Sequence, residues 1–149
     1  MFESDPELLR AVADQAALLV PADTELLAGL ELGGVPVATA LSLATGIPQV
    51  LVRKQAKTYG TAKLAEGPDV AGRNVLVVED VITTGGQVAD STGELRLLGA
   101  LVSSVLCIID RRPVSAATDS ATDSATDRLS GCGMAVLALF TVGELDAYI

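Results

Sequence analysis

At 149 residues the chain is the size of one domain, and its half-apolar composition with only 3% aromatic residues builds a core from Ala, Val and Leu. A net charge of −9 argues against nucleic acid or anionic membrane as a general partner. No apolar run reaches the roughly 18 residues of a membrane span and no basic-then-apolar leader follows Met1, so a soluble cytoplasmic protein is expected.

In chain order, Ser4 and Glu7 have capping-box spacing, and Leu8, Leu9, Val12, Ala16 and Leu19 recur at helical intervals. Pro21 and Asp23 break that helix, and Leu26 to Leu30 form a short buried-strand candidate running into Glu31, Leu32, Gly33 and Gly34. A second helix is predicted from Val35 through Ala44, with Pro36 tolerated in its first turn and Gly46 closing it. Gln49 to Val52 is the next strand and delivers Arg53 and Lys54 at its end. Thr58 to Pro68 has no clear period and reads as a mobile loop.

Val75 to Val78 is a continuous apolar run suited to a strand buried on both faces, followed by a helix from Gln87 to Leu98 closed by Gly99. Leu101 to Ile109 is β-rich and ends in Asp110, Arg111 and Arg112. Residues 113–128 carry an ATDS repeat too polar to drive folding, hence an expected extended surface loop. Ala135 to Phe140 is a last strand, and Thr141 with Glu144 caps a terminal helix through Ile149. Strands alternating with helices imply a parallel sheet covered on both faces, with ligands at the carboxyl ends of the strands.

Chemistry gathers at those ends. The chain has no histidine, which removes the commonest general base and metal ligand and leaves carboxylates, lysines, arginines and backbone. Cys107, in an apolar run, reads as a reduced core thiol, and neither it nor Cys132 has metal-ligand spacing. In NVLVVEDVITTGGQ, Asn74 to Gln87, the carboxylates Glu79 and Asp80 emerge where the strand ends. Thr83, Thr84, Gly85 and Gly86 then supply hydroxyls and backbone N–H groups able to surround a phosphate at a helix start. The bland alternative is an ordinary strand-to-helix turn with solvated carboxylates. Arg53, Lys54, Lys57 and Lys63 put four of the ten basic residues within eleven positions of an acidic chain; these are either a functional cluster or a solvated basic loop.

The string from Asn74 to Gln87 resembles the phosphoribosyl-pyrophosphate (PRPP) motif of type I phosphoribosyltransferases, with the TTGG ending close to the orotate phosphoribosyltransferase version. VRKQAKTYGTAKLAEG, from Val52 to Gly67, resembles that family's catalytic loop, in which an RKxxKxHG pattern meets pyrophosphate. Arg53, Lys54 and Lys57 match, and Tyr59 stands where histidine is usual. GLELGGVP resembles the first pyrophosphate loop at Leu32 and Gly33, where a lysine is common at the second position.

The resemblance implies an α/β type I phosphoribosyltransferase fold, a Rossmann-like central parallel sheet flanked by helices, in a single domain over 1–149. It implies transfer of the phosphoribosyl group from PRPP to orotate, giving orotidine 5′-monophosphate and pyrophosphate in pyrimidine biosynthesis. Lys57, Arg53, Lys54 and Asp80 would be catalytic, and Leu32, Gly33 and Tyr59 would meet pyrophosphate with the basic loop. Glu79 and Asp80 would hold the ribose hydroxyls, while Val81, Ile82, Thr83, Thr84, Gly85, Gly86 and Gln87 would wrap the 5′-phosphate. Thr83 and Arg111 would face orotate.

Mg²⁺ is implied as a companion of pyrophosphate, held mainly by ligand oxygens and water with no direct protein ligand. A homodimer whose catalytic loop serves the neighbouring subunit is also implied. The family has an N-terminal hood, in a pattern like FxLxSGxxSxY, which this sequence does not match. The preferred expectation is a hood upstream of Met1 in the natural protein, and a shortened relative is the alternative. A phosphoribosyltransferase of another base specificity and a non-catalytic PRPP- or nucleotide-sensing protein remain competing readings.

Overall fold

The computed structural model describes residues 1–54, 64–113 and 125–148, with backbone alone for 125–127. Strands β1 (Leu26–Leu30), β2 (Gln49–Val52), β3 (Ala65–Glu66), β4 (Val75–Ile82), β5 (Ser104–Asp110) and β6 (Ala135–Thr141) form one sheet in the order β3-β2-β1-β4-β5-β6. All neighbours pair in parallel except β3, which runs antiparallel to β2. The helices are α1 (Pro6–Ala17), α2 (Gly34–Thr45), α3 (Gly86–Leu97), α4 (Ala125–Gly131) and α5 (Val142–Asp146). Among the described residues no helix is long and apolar enough to cross a membrane.

The period-two alternation of strand side chains sorts the core into two layers. Leu26, Ala28, Leu30, Val75, Val77, Val105 and Cys107 pack with Val88 and Leu95 of α3 and Leu129 of α4. Leu27, Leu76, Val78, Leu106 and Ile108 pack on the other face with Val12 and Ala16 of α1 and Val37, Ala38 and Leu41 of α2. Helices therefore cover both faces. Cys107 and Cys132 are both free, and burial, first of all, pushes the Cys107 thiol up to about 12, so it stays a neutral core group. From β1 the chain crosses to β2 on one side, whereas β4, β5 and β6 build outward on the other. The sheet thus has a topological switch point at β1 and β4, and the crevice beyond their carboxyl ends is where such sheets bind ligands.

Several local expectations shift. Asp5, not Ser4, caps α1: its Oδ1 accepts from Glu7 N at 3.0 Å and Leu8 N at 3.1 Å, while Ser4 lies in a 3₁₀ turn over Phe2–Ser4. Pro6 fixes the point of entry, because proline suits the first helical position and the cap then directly precedes it. β4 runs past Val78 through Glu79 and Asp80 to Ile82, since β5 offers partners that far, with Ile82 aligned to Asp110. β5 itself begins at Ser104, and Leu101 makes only an isolated bridge to Asn74. Within the expected Thr58 to Pro68 loop, Ala65 and Glu66 form an edge strand. The expected 113–128 loop gives way to α4 from Ala125, anchored by the fully buried Leu129. The terminal helix ends at Asp146, and its Thr141–Glu144 capping box is present.

Leu106 is fully buried between β4 and β6. Leu106→Ala should lower unfolding free energy by about 2–5 kcal/mol, read from the midpoint of urea denaturation.

Candidate active site

At the switch point two helix N-termini meet the end of β4. The N-caps of α2 and α3 are Gly33 and Gly85, and neither has a side-chain cap, whereas Asp5 and Thr141 cap α1 and α5. First-turn N–H groups without intrahelical partners, together with the positive end of the helix dipole, make such termini anion sites. The start of α2 approaches β4 closely. A Cβ on Gly34 would run into the Val78 carbonyl oxygen, and one on Gly33 would land on the Asp80 carboxylate. Gly33, where the family often has lysine, presents backbone only, and a side chain there would require the Asp80 carboxylate to shift. Leu32 follows a cis peptide from Glu31, and its side chain is exposed.

The β4–α3 turn supplies the second half. Glu79 is only 6% exposed, and its Oε1 accepts from Asp80 N at 2.9 Å. Asp80 Oδ1 in turn accepts from Val81 N at 2.7 Å. Burial above all, and then hydrogen bonding to the Asp80 side chain, push the Glu79 carboxyl up to about 8. At neutral pH Glu79 is therefore a protonated acid. Thr83 and Thr84 are exposed at the turn, Gly85 has φ of 73°, and Gly86 N donates to Thr84 Oγ1 at 3.4 Å. Ile82 is buried and Val81 half-buried, so these two contribute backbone to the turn.

A connection that sequence reading missed ties three strand-end loops together. Glu31, after β1, donates its N–H to Val52 O at 2.9 Å, and its carboxylate accepts from Lys54 N at 2.9 Å. Its carbonyl accepts from the Gln87 side-chain amide at 2.8 Å. The ends of β1 and β2 and the start of α3 are thus held by one residue.

The basic loop is only partly within view. Lys57 and Tyr59 lie outside the described residues. Arg53, expected to face pyrophosphate, is paired with Glu66 of β3 at 2.6 Å, with a second bond from Nε to the same oxygen at 2.9 Å. Lys54 is exposed. Arg53 and Lys54 line a cleft of about 680 Å³ with Gly86 and Gln87 and with Asp90 and Glu94, two α3 carboxylates that the motifs did not single out. At the end of β5, Arg112 locks onto Asp110 at 2.6 Å and holds that carboxyl below its usual range. Arg111 N donates to Ile82 O at 2.8 Å, and its exposed guanidinium has no hydrogen-bond or ion-pair partner among the described residues. Arg111 is therefore the member of the pair free to meet a ligand.

A family model, the phosphoribosyl transferase domain, matches residues 3–129. An orotate phosphoribosyltransferase of Nocardioides sp. is 52% identical over 147 residues, covering 99% of this chain and 76% of that protein. The chain belongs to the orotate phosphoribosyltransferase family. The orotate phosphoribosyltransferase of Halobacterium salinarum is 48% identical over 111 residues, covering 74% of this chain and 63% of its own length. Among solved structures, the Mycobacterium tuberculosis orotate phosphoribosyltransferase in complex with PRPP matches with a TM-score of 0.75 at 26% identity, over 97% of this chain and 80% of that one. The six-stranded, mostly parallel sheet flanked by helices is the type I phosphoribosyltransferase fold.

Glu79 gives this site a pH signature. Its folded value of about 8 lies above the ordinary 4.5, so its protonation stabilises the fold fully below about 4.5. That contribution declines as pH rises and is gone above about 8. Wild type should lose stability relative to Glu79→Gln between pH 5 and 8.5, by an amount on the order of a few kcal/mol at about 1.4 kcal/mol per pKa unit. Urea midpoints measured across that range check this, and parallel curves for the two proteins would rule it out.

Proposed function

We propose that this chain is an orotate phosphoribosyltransferase: it transfers the phosphoribosyl group of PRPP to orotate, yielding orotidine 5′-monophosphate and pyrophosphate for UMP synthesis in the cytoplasm. The observation that carries the reading is the pair of glycine-capped helix N-termini flanking Asp80 at the switch point. A substrate with phosphate at both ends of a ribose suits two anion sites with carboxylates between them. The family membership of the chain supports the same substrates.

In this reading Asp80 accepts hydrogen bonds from ribose hydroxyls. Glu79, protonated at neutral pH, donates to a hydroxyl oxygen while adding no negative charge beside an anionic substrate. The turn from Val81 to Gln87 wraps the 5′-phosphate, with the exposed Thr83 at its orotate side. Backbone at Leu32 and Gly33, with Arg53, Lys54, Lys57 and Tyr59, receives pyrophosphate. Arg53 exchanges Glu66 for the ligand as it does so. Arg111 reads the orotate carboxylate, for which a planar guanidinium with five donors is well shaped.

Displacement at the anomeric carbon passes through an oxocarbenium-like transition state. Charge grows on the departing pyrophosphate, so cations and preorganised N–H groups lower the barrier without a protein nucleophile. Mg²⁺ belongs to the proposal as the carrier of pyrophosphate. The ion would be held mainly by pyrophosphate oxygens and water, with no direct protein ligand, and the chemistry it would supply is to neutralise the leaving group. The 149 residues form a single phosphoribosyltransferase domain and act as a homodimer in which Lys57 serves the neighbouring subunit.

With Mg²⁺ and PRPP, the protein should consume orotate absorbance. Lys57→Ala should cut turnover by about a hundredfold or more while leaving the melting temperature in place. Asp80→Asn should weaken PRPP binding in calorimetry. PRPP binding without turnover would replace the enzyme with a sensor, and full activity in Lys57→Ala would remove the basic loop from the reaction. Mixing the two variants restores activity if the loop crosses between subunits.

A further inference from the structure

The last turn of structure before β6 places one more cation beside the phosphate turn. Arg128 lies in α4, just past the ATDS repeat and outside every motif singled out in the sequence. Its neighbour Leu129 is 0% exposed and sits in the core layer with Val88 and Leu95 of α3, which fixes α4 against α3. The result is a guanidinium whose Nη1 lies 3.3 Å from the point a Cβ on Gly86 would occupy, at the first residue of α3.

That location is electrostatically wrong for an unaccompanied cation. The N-terminus of α3 is the positive end of its dipole, and its N-cap is a glycine with no side-chain acceptor. Arg128 has no hydrogen-bond or ion-pair partner among the described residues, although the chain carries a net charge of −9. The Arg128 guanidinium, the N-terminus of α3 and the Thr84 hydroxyl all lie close to the Gly86 Cβ position, at 3.3 Å for Nη1 and 3.7 Å for Oγ1, and lack only an anion with several oxygens. A phosphate monoester would accept from the amides on one side and from the planar fork of Arg128 on the other.

We propose that Arg128 is a further binding residue for the terminal phosphate of the phosphoribosyl group, closing the phosphate turn from the α4 side. The inference rests on the phosphoribosyl-transfer reading above and adds to it a residue that belongs to none of the motifs.

The test compares wild type, Arg128→Gln and Arg128→Lys, with ribose 5-phosphate and pyrophosphate as separate calorimetric probes and with PRPP in turnover. Arg128 is exposed, so both variants should keep the wild-type melting temperature. Loss of one charge-assisted contact should weaken ribose 5-phosphate binding and raise KM for PRPP about tenfold or more in Arg128→Gln. Arg128→Lys should lose less, while pyrophosphate affinity and kcat at saturating PRPP stay within about twofold because the contact is made equally in ground and transition states. Unchanged ribose 5-phosphate affinity in Arg128→Gln overturns the proposal. An equal loss for pyrophosphate also overturns it, since Arg128 would then act as diffuse charge. Wild type binding neither ribose 5-phosphate nor PRPP would bring down the phosphoribosyl reading itself, and Arg128 with it.

Discussion

The candidate site depends on how closely the start of α2 approaches the backbone of β4. Gly34 packs on the Val78 carbonyl with no volume for a Cβ, and Gly33 lies against the Asp80 carboxylate, which would have to shift to admit one. This approach brings the α2 N-terminus level with the end of β4, where the α3 N-terminus begins. The contact also explains why a chain of net charge −9 can be read as binding a polyanion. The positive field comes from fixed peptide dipoles, which survive an acidic surface because they act at hydrogen-bonding range.

Burial of Glu79 complements this arrangement. Two adjacent ionised carboxylates would oppose a phosphorylated ligand, but the low-dielectric strand end keeps the first of them protonated at neutral pH. The same desolvation that costs stability at high pH reduces the local negative charge. The stability of the strand end and its suitability for an anion are two readings of one titration.

Much of the architecture was legible because strands buried on both faces are written as short apolar runs. Leu26–Leu30 and Gln49–Val52 have the limits expected from such runs, and Gly46, at φ of 75°, ends α2 as its composition suggests. What escaped was set by contacts distant in sequence. Ala65 and Glu66 form a strand only because the edge of β2 is there to pair with, and two residues carry no period. β4 reads as ending at Val78, since Glu79 and Asp80 are polar, yet β5 continues the ladder beneath them. Asp5 rather than Ser4 caps α1 because Pro6 sets the entry, a contest between neighbouring acceptors that spacing alone does not decide. Of the site, the motif residues of the β1–α2 and β4–α3 turns do come together. The bonds of Glu31 and the position of Arg128 had no motif to announce them.

Glu31 and Glu66 show how the cleft is organised among the described residues. Glu31 fastens the backbone at Lys54 to the β1 turn and to Gln87, so hydrogen bonds tie the root of the basic loop to the β1–α2 and β4–α3 turns. Glu66 instead holds the Arg53 side chain through an ion pair that is half exposed, and such pairs are weak and easily exchanged. The backbone is thus fixed while the cation is only parked. A polyanion entering the cleft would displace a surface carboxylate at small cost and find the loop root already in register. Asp90 and Glu94 lie on the same wall. In the proposed reading, two helix N-termini at separated points would bind a ligand with phosphates at both ends more tightly than either could alone.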